Sequence, residues 1–533
     1  MKIKSFWITS IVFISILTGY ILWSLHFTEN YFTYLLDDAY IHLAVAKNFA
    51  LHHVWGITKY QFSSTSSSPL FTFLLSCLIS VFGNFELIPL ILNIILSIAC
   101  VYALNVYYAA IFKKSGTIVV AVLFTLFFAV FPMQVLSGME HVLQVFLMII
   151  NMINLRKWWI SDFKDNGAAY WFYFTISLMG LVRFESMFYF AALAFCFVLI
   201  KQLKCAALTL LLGFLPILIF GYFNYVEGGY FFPNSVLVKG FKPHSGAVVE
   251  QLYFFLIKKF FLNPSFYKLI VVPLVFVGYL FYKDYKEHRN LKVVFRKNFL
   301  LIAIVLTMIQ HTMFADFRGF YRYEAYLMVA FSMVAIPRVS NFFHHFRKAF
   351  RQDFFISVLV LSTLVLFIYK NAYAHYMLMY CSKNIYEQQI QSARFLHQYY
   401  NNSKVIANDI GAISYFTDIH LLDFVALGSA EMIPFSENGK PFDQEFKNYL
   451  TEYGEKNAYD VAIVYDRWLN GQIPDTWTKA ADFYISKPNL AAAIDKVSIY
   501  AVNPDEYQSL IRNIKHFKWN VNDRVELVGN KNK

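Results

Sequence analysis

The sequence predicts a polytopic α-helical membrane protein of about eleven spans with a C-terminal soluble α/β domain. Three observations predict the spans and the domain. The 533-residue chain is 58% hydrophobic and 20% aromatic, the composition of an integral membrane protein. Apolar runs long enough to cross or enter a bilayer recur through the first 370 positions, with basic clusters between alternate pairs. After Lys370 the composition becomes that of a soluble domain. Residues 371–533 hold 16 Lys and Arg against 19 Asp and Glu, whereas the preceding 370 hold 30 against 15. The net charge of +12 therefore belongs to loops between spans, where it sets orientation; it does not indicate nucleic-acid binding.

The first apolar run, 6–25, has no small-residue cleavage site after it and reads as a retained helix rather than a signal peptide. Lys2 and Lys4 before it place the N-terminus inside, so residues 28–68 lie outside. The next apolar piece, 69–82, is short for a span and suits an interfacial or re-entrant helix. Residues 87–112 then cross inward to Lys113-Lys114, and 117–136 return to Ser137-Gly138-Met139-Glu140-His141. The runs 142–154, 168–182, 187–200 and 205–224 continue the alternation, with Arg156-Lys157 and Lys201 with Lys204 inside. An outer loop, 225–264, precedes the run 266–282 and a basic inner loop from Lys283 to Lys297. The runs 298–314, 323–337 and 354–369 complete the set, with Arg338, Arg347, Lys348 and Arg351 inside. Reading 69–82 as a full span would invert everything after it and put the basic loops outside.

The chain thus divides into a transmembrane part, 1–370, and an exported part, 371–533. In the latter, 405–407, 461–465 and 497–500 are β-branched and aromatic and read as strands. Residues 385–400 and 507–517 have helical apolar spacing. Five scattered cysteines have neither metal-ligand nor redox spacing. A P-loop and a dinucleotide-binding glycine pattern are both absent.

The suspicious polar residues fall on one side of this topology. Asp37-Asp38 sits in the first outer loop, where two adjacent carboxylates are either well solvated or kept for chemistry. The same face gathers His42, Glu140, His141, Arg183, Glu185, Asn234, Lys239, Asp316, Arg318, Arg322 and Glu324. His42, one helical turn past Asp38, either shares that carboxylate's environment or simply packs. Arg183-x-Glu185 interrupts a long apolar stretch, as a plain polar turn or as part of a site. Arg318, Arg322 and Lys239 either snorkel to the interface or dock a phosphate-bearing head group, arginine's fork matching phosphate bidentately. The serines of 63–68 either cap the helix that begins at Pro69 or line a sugar or phosphate site. Two adjacent carboxylates can also hold Mg or Mn through oxygen ligands. With no further acidic pair nearby in sequence, a base is expected here rather than a tight metal site, and no cofactor is firmly implied.

Several of these motifs together resemble a family. Asp37-Asp38-Ala39-Tyr40-Ile41, Ser67-Ser68-Pro69-Leu70, Ser137-Gly138-Met139-Glu140, Arg183-x-Glu185 and Pro233-Asn234-Ser235 look like bacterial membrane glycosyltransferases of the GT-C superfamily. The closest likeness is to the arabinofuranosyltransferase-like branch, which uses polyprenyl-phosphate sugars. Asn408-Asp409-Ile410-Gly411-Ala412-Ile413-Ser414-Tyr415-Phe416, followed by Leu422-Asp423, resembles that branch's exported domain. The resemblance implies a polyprenyl-phosphate-linked sugar donor and an acidic residue of the first outer loop as catalytic base, a role that maps onto Asp37 or Asp38. It implies inverting transfer to an acceptor hydroxyl of an envelope glycan, lipid or protein at a bacterial cytoplasmic (inner) membrane, with the C-terminal domain outside. Arg318, Arg322 or Lys239 would stabilise the leaving phosphate. A lipid-linked sugar transporter or flippase would need polar residues near mid-membrane and usually shows repeated halves. A non-catalytic scaffold with an exported binding domain would not depend on the acidic pair.

Overall fold

The computed structural model describes residues 2–239, 253–315, 317, 319–344, 351, 353–436 and 442–528. Eleven helices open the chain: α1 (Lys2–Phe27), α2 (Asp38–His52), α3 (Pro69–Phe82), α4 (Ile88–Ala109), α5 (Ser115–Phe128), α6 (Phe131–Leu136), α7 (His141–Ile160), α8 (Asn166–Val182), α9 (Ser186–Leu199), α10 (Leu203–Val226) and α11 (Asn234–Lys239). Further long helices cover Val271–His288, Leu291–Phe314, Ala325–His344 and Phe354–Ile385. By length and composition, five described helices can cross a membrane: Ile3–Phe27, Ile88–Ala109, Leu203–Val226, Leu291–Phe314 and Phe354–Tyr399. Shorter apolar helices at Pro69–Phe82, Ser115–Phe128, Ser186–Leu199 and Ala325–Ser340 accompany them. The chain is a multi-pass membrane protein.

The basic loop expected over 283–297 is mostly helix. The helix Val271–His288 ends where Arg289 turns left-handed (φ 51°), and Asn290 caps the next helix by accepting from the Lys292 amide at 3.0 Å. Lysine and arginine are good helix formers, so basic residues can prolong two helices instead of forming a loop. Their charges converge: Asp284 takes Lys297 and Arg338, each at 2.7 Å, and Lys283 pairs with Asp353 at 2.8 Å.

The helix Phe354–Ile385 passes through Lys370 without a break and leads, by a π-helical turn at Tyr386–Ile390, into Gln391–Tyr399. Beyond it lies a six-stranded sheet of β1 (Lys404–Ala407), β2 (His420–Asp423), β3 (Val461–Val464), β4 (Thr478–Tyr484), β5 (Lys496–Ala501) and β6 (Arg524–Leu527). The order is β2-β1-β3-β5-β4-β6, parallel from β2 to β3 and antiparallel beyond. The strands at 405–407, 461–464 and 497–500 lie where their β-branched residues put them. Strands β2, β4 and β6 are short or rich in Lys, Asp and Ala, and only pairing reveals them.

The segment 28–68 is tied down on both sides of α2. Tyr34 donates to the Glu86 carbonyl at 2.6 Å, and its ring lies 2.4 Å from where a Cβ on Gly138 would stand. Only glycine fits there, in a backbone of φ +68°. At the other end, Tyr60 donates to the Asp418 carbonyl at 2.8 Å and stacks on His420 at 3.6 Å, while Lys47 donates to the Tyr415 carbonyl at 2.8 Å. The loop is thereby docked on the sheet domain.

Candidate functional site

A cavity of about 520 Å³ opens between the first residues of α2, the serine-rich stretch, the α8–α9 turn and α11. Leu427 of the sheet domain contributes to its wall. Asp38, His42, Arg183 and Glu185 line it, with Ser67, Met139 and Tyr323.

Asp37 and Asp38 part company at the start of α2. Successive helical positions point about 100° apart, so adjacent carboxylates cannot serve one site equally. Asp38 faces the cavity and accepts from Arg322 Nη1 at 2.9 Å. Asp37 turns to the sheet domain, accepting from the Gly411 amide at 2.7 Å and the Ala412 amide at 2.8 Å. Gly411 is required by this approach, since a Cβ there would lie 2.2 Å from the Asp37 carbonyl oxygen. Burial and then the neighbouring Asp409 push the Asp37 carboxyl up, against the two amides that favour its charged form. Asp409 is itself held by Gln389 at 2.7 Å and by the Tyr465 hydroxyl at 2.5 Å.

His42 lies four residues past Asp38, on the same helical face, and lines the same cavity. Its closest acidic neighbour is Glu140, however, with Nε2 3.2 Å from Oε2. Its Nδ1 sits 3.1 Å from Ser66 Oγ and 3.0 Å from Thr72 Oγ1.

The Arg183-x-Glu185 turn is far more than a polar hairpin. Arg183 Nε donates to Glu185 Oε2 at 3.0 Å and Nη2 bonds the other carboxylate oxygen. Nη1 donates to Glu140 Oε1 at 2.8 Å and to Ser67 Oγ at 3.1 Å. One guanidinium therefore locks α7, the α8–α9 turn and the serine-rich stretch together. Its donors are spent on protein. Arg322 Nε is buried without a hydrogen-bond partner. Both guanidinium groups lie 5.0 Å from the Tyr323 ring, which supports them by cation–π attraction.

Other expected residues lie elsewhere. Asn234 is structural: its amide donates to the Ser64 carbonyl at 2.9 Å and its side chain to the Leu427 carbonyl at 3.1 Å. Glu324 pairs with Lys370 across 3.6 Å, both buried. The side chain of Lys239, and Asp316 and Arg318 altogether, lie outside the described residues. Sequence reasoning missed Tyr323 and Lys370, and the amides that hold Asp37. The first two were masked by lying beside a stronger signal or within a span, and an amide leaves no trace in side-chain chemistry.

Among the described residues, no three His, Cys, Asp or Glu side chains converge as a metal would need. Asp38 faces a guanidinium, Asp37 two amides, and Glu140 an arginine and a histidine, so each carboxylate already meets a donor or a positive charge.

No curated protein matches the chain. A family described as a domain of unknown function, DUF8728, matches residues 383–500. Among solved structures, the chain is similar to ArnT from Cupriavidus metallidurans, crystallised bound to undecaprenyl phosphate. Identity is 10% and the TM-score 0.51, over 93% of this chain and 98% of that one. Structures from Archaeoglobus fulgidus also match. The apo oligosaccharyltransferase does so at 13% identity and a TM-score of 0.47, over 90% and 74% of the two chains. The oligosaccharyltransferase AglB, in complex with an inhibitory peptide and a dolichol-phosphate, does so at 14% and 0.45, over 92% and 74%. The chain shares the fold of that ArnT structure.

Proposed function

We propose that this chain is an inverting membrane glycosyltransferase that moves a sugar from a polyprenyl phosphate to an acceptor hydroxyl. Asp38 is the general base, and Arg322 receives the lipid phosphate. The observation that carries this is Asp38 on the cavity wall, with the Arg322 guanidinium 2.9 Å from its carboxylate, in a site that holds further polar groups. The likeness to a structure holding undecaprenyl phosphate supports the choice of donor.

In the proposed reaction the acceptor hydroxyl gives its proton to an Asp38 carboxylate oxygen. The acceptor oxygen attacks the anomeric carbon from the face opposite the phosphate, and the bond to the phosphate oxygen breaks with its electron pair. Configuration inverts, and no second carboxylate is needed as a covalent nucleophile. Polyprenyl phosphate leaves as an anion, which needs charge stabilisation more than a proton. An ion-paired carboxylate is a weak base, because a nearby cation favours its charged form. A donor phosphate competing for Arg322 loosens that hold, so Asp38 gains basicity as the donor seats. Asp37 serves as a positioning residue, joining the loop to the sheet domain.

The proposal places 28–68, 225–264 and 371–533 outside the membrane and 283–297 inside. Turnover of the purified chain on a panel of polyprenyl-phosphate sugars, read as release of polyprenyl phosphate, tests the chemistry. Asp38→Asn should lower it about 10²–10⁴-fold, the usual worth of a general base, while the variant stays folded. Wild-type turnover in Asp38→Asn would sink the assignment.

A further inference from the structure

We propose that a second cavity binds the anionic part of a saccharide acceptor, a sugar bearing a carboxylate. The role as acceptor site rests on the transferase reading above; the binding itself does not. The cavity measures about 510 Å³ and lies where the outer loop meets the sheet domain. Tyr31, Phe416 and Phe517 supply aromatic walls, Arg394 and Lys518 supply cationic groups, His397 adds an imidazole, and no acidic residue lines it.

Arg394 is the key residue. Among the described residues no carboxylate lies within ion-pair distance of it. Its guanidinium lies over the rings of Tyr31 at 4.8 Å and Tyr386 at 5.1 Å. Nη1 donates to the Tyr386 hydroxyl at 2.9 Å, and that hydroxyl donates to Glu29 at 2.8 Å. The group is thus oriented from behind by a tyrosine and keeps other donors for a ligand. A planar fork held in this way suits a carboxylate, which it can grip with two parallel hydrogen bonds. The aromatic walls give a sugar ring apolar faces to lie against, and few convergent polar groups in such a cleft are what a small-ligand site requires.

The cavity is also connected to the proposed site. The helix Gly411–Phe416 is about 9 Å long. Its first amide binds Asp37, the neighbour of Asp38, and its last residue walls the second cavity. A glycan held by Arg394 therefore lies one short helix away from the carboxylate assigned as base.

The test uses the full chain in detergent, with galacturonate hexamer as the anionic probe and maltohexaose as the neutral one, read by calorimetry. We expect the hexuronate to bind and maltohexaose not to. Arg394→Gln should weaken hexuronate binding at least tenfold. Lys518→Gln, an exposed change that cannot disturb the core, should weaken it severalfold. Equal binding of the two oligosaccharides would overturn the proposal, as would unchanged affinity in both variants. Displacement by inorganic phosphate at equal concentration would show a site that reads charge alone and would equally overturn it. Asp38→Asn should leave hexuronate binding untouched. If binding holds but no donor is ever turned over, the transferase reading fails and the binding site stands.

Discussion

Arg322 donates to Asp38 across 2.9 Å, while Asp37, one residue earlier, spends both carboxylate oxygens on the amides of Gly411 and Ala412. An acidic pair that looks redundant in sequence is thus divided between two tasks. One carboxylate faces the cavity; the other fastens the loop that carries it.

If Arg322 receives the lipid phosphate, its removal should weaken binding of undecaprenyl phosphate directly. Hydrogen bonds to charged groups are worth about 1.5–3 kcal/mol, so Arg322→Ala should raise the Kd about 10- to 100-fold. Arg322→Lys should fall between, because it keeps the charge but loses the fork. Titration of purified protein with undecaprenyl phosphate decides it. An unchanged Kd in Arg322→Ala would reassign the residue to holding Asp38 alone.

Arg183 should behave differently. It is buried and bonded to Glu140, Glu185 and Ser67, so Arg183→Met leaves the buried Glu140 and the half-buried Glu185 without this cation. Breaking a buried pair from one side costs about 3–5 kcal/mol. The variant should lose thermal stability and yield before any effect on donor affinity can be measured. A fully stable Arg183→Met with a selectively weakened donor affinity would instead make this arginine a phosphate ligand.

How much of this was legible beforehand follows from what each residue depends on. The sheet domain's inner strands were visible because Val461 to Val464 and Val497 to Tyr500 carry their β preference locally. Asp38, His42, Arg183 and Glu185 were visible because charge amid apolar sequence is expensive, and the structure brings all four to one cavity. Their partners were not. That His42 would meet Glu140 rather than Asp38, and that Asp37 would turn to a backbone 374 residues away, depends on packing between distant elements. The two-residue turn at Arg289-Asn290 was hidden for another reason: basic residues mark a membrane boundary whether they lie in loops or in helix ends.

The Asp37–Asp409 neighbourhood predicts a pH dependence. Asp37 lies just before α2, where burial and then Asp409 raise its carboxyl to about 8. The folded state then binds this proton more tightly than the unfolded chain does. Its contribution to stability is fully present below the ordinary carboxylate range and is lost as pH rises through about 8. Thermal unfolding should show a melting temperature that falls between pH 6 and 9. Asp409→Asn removes one of the two charges and should flatten that fall. Parallel profiles for wild type and variant would mean that the two carboxyls do not share their charge.

Gly411 offers the sharpest test of the docking between loop and sheet domain. A Cβ at this position would stand 2.2 Å from the Asp37 carbonyl oxygen and 2.7 Å from its Oδ2. The first of these is backbone and cannot swing aside, so Gly411→Ala must push α2 and the helix Gly411–Phe416 apart. Forcing a methyl into a packed contact typically costs about 1–3 kcal/mol. Gly454 is the control, since it sits inside the helix Gln444–Lys456 and its Cβ would meet only Val502 at an ordinary 3.6 Å. Gly454→Ala should stabilise by about 0.5–1 kcal/mol, because alanine loses less backbone entropy in a helix. Opposite shifts in melting temperature are therefore expected from the same chemical change. Turnover should drop only in Gly411→Ala, since only there does the added methyl move the loop that carries Asp38. If Gly411→Ala melted and turned over like wild type, the Asp37 clamp would be incidental to both the fold and the site.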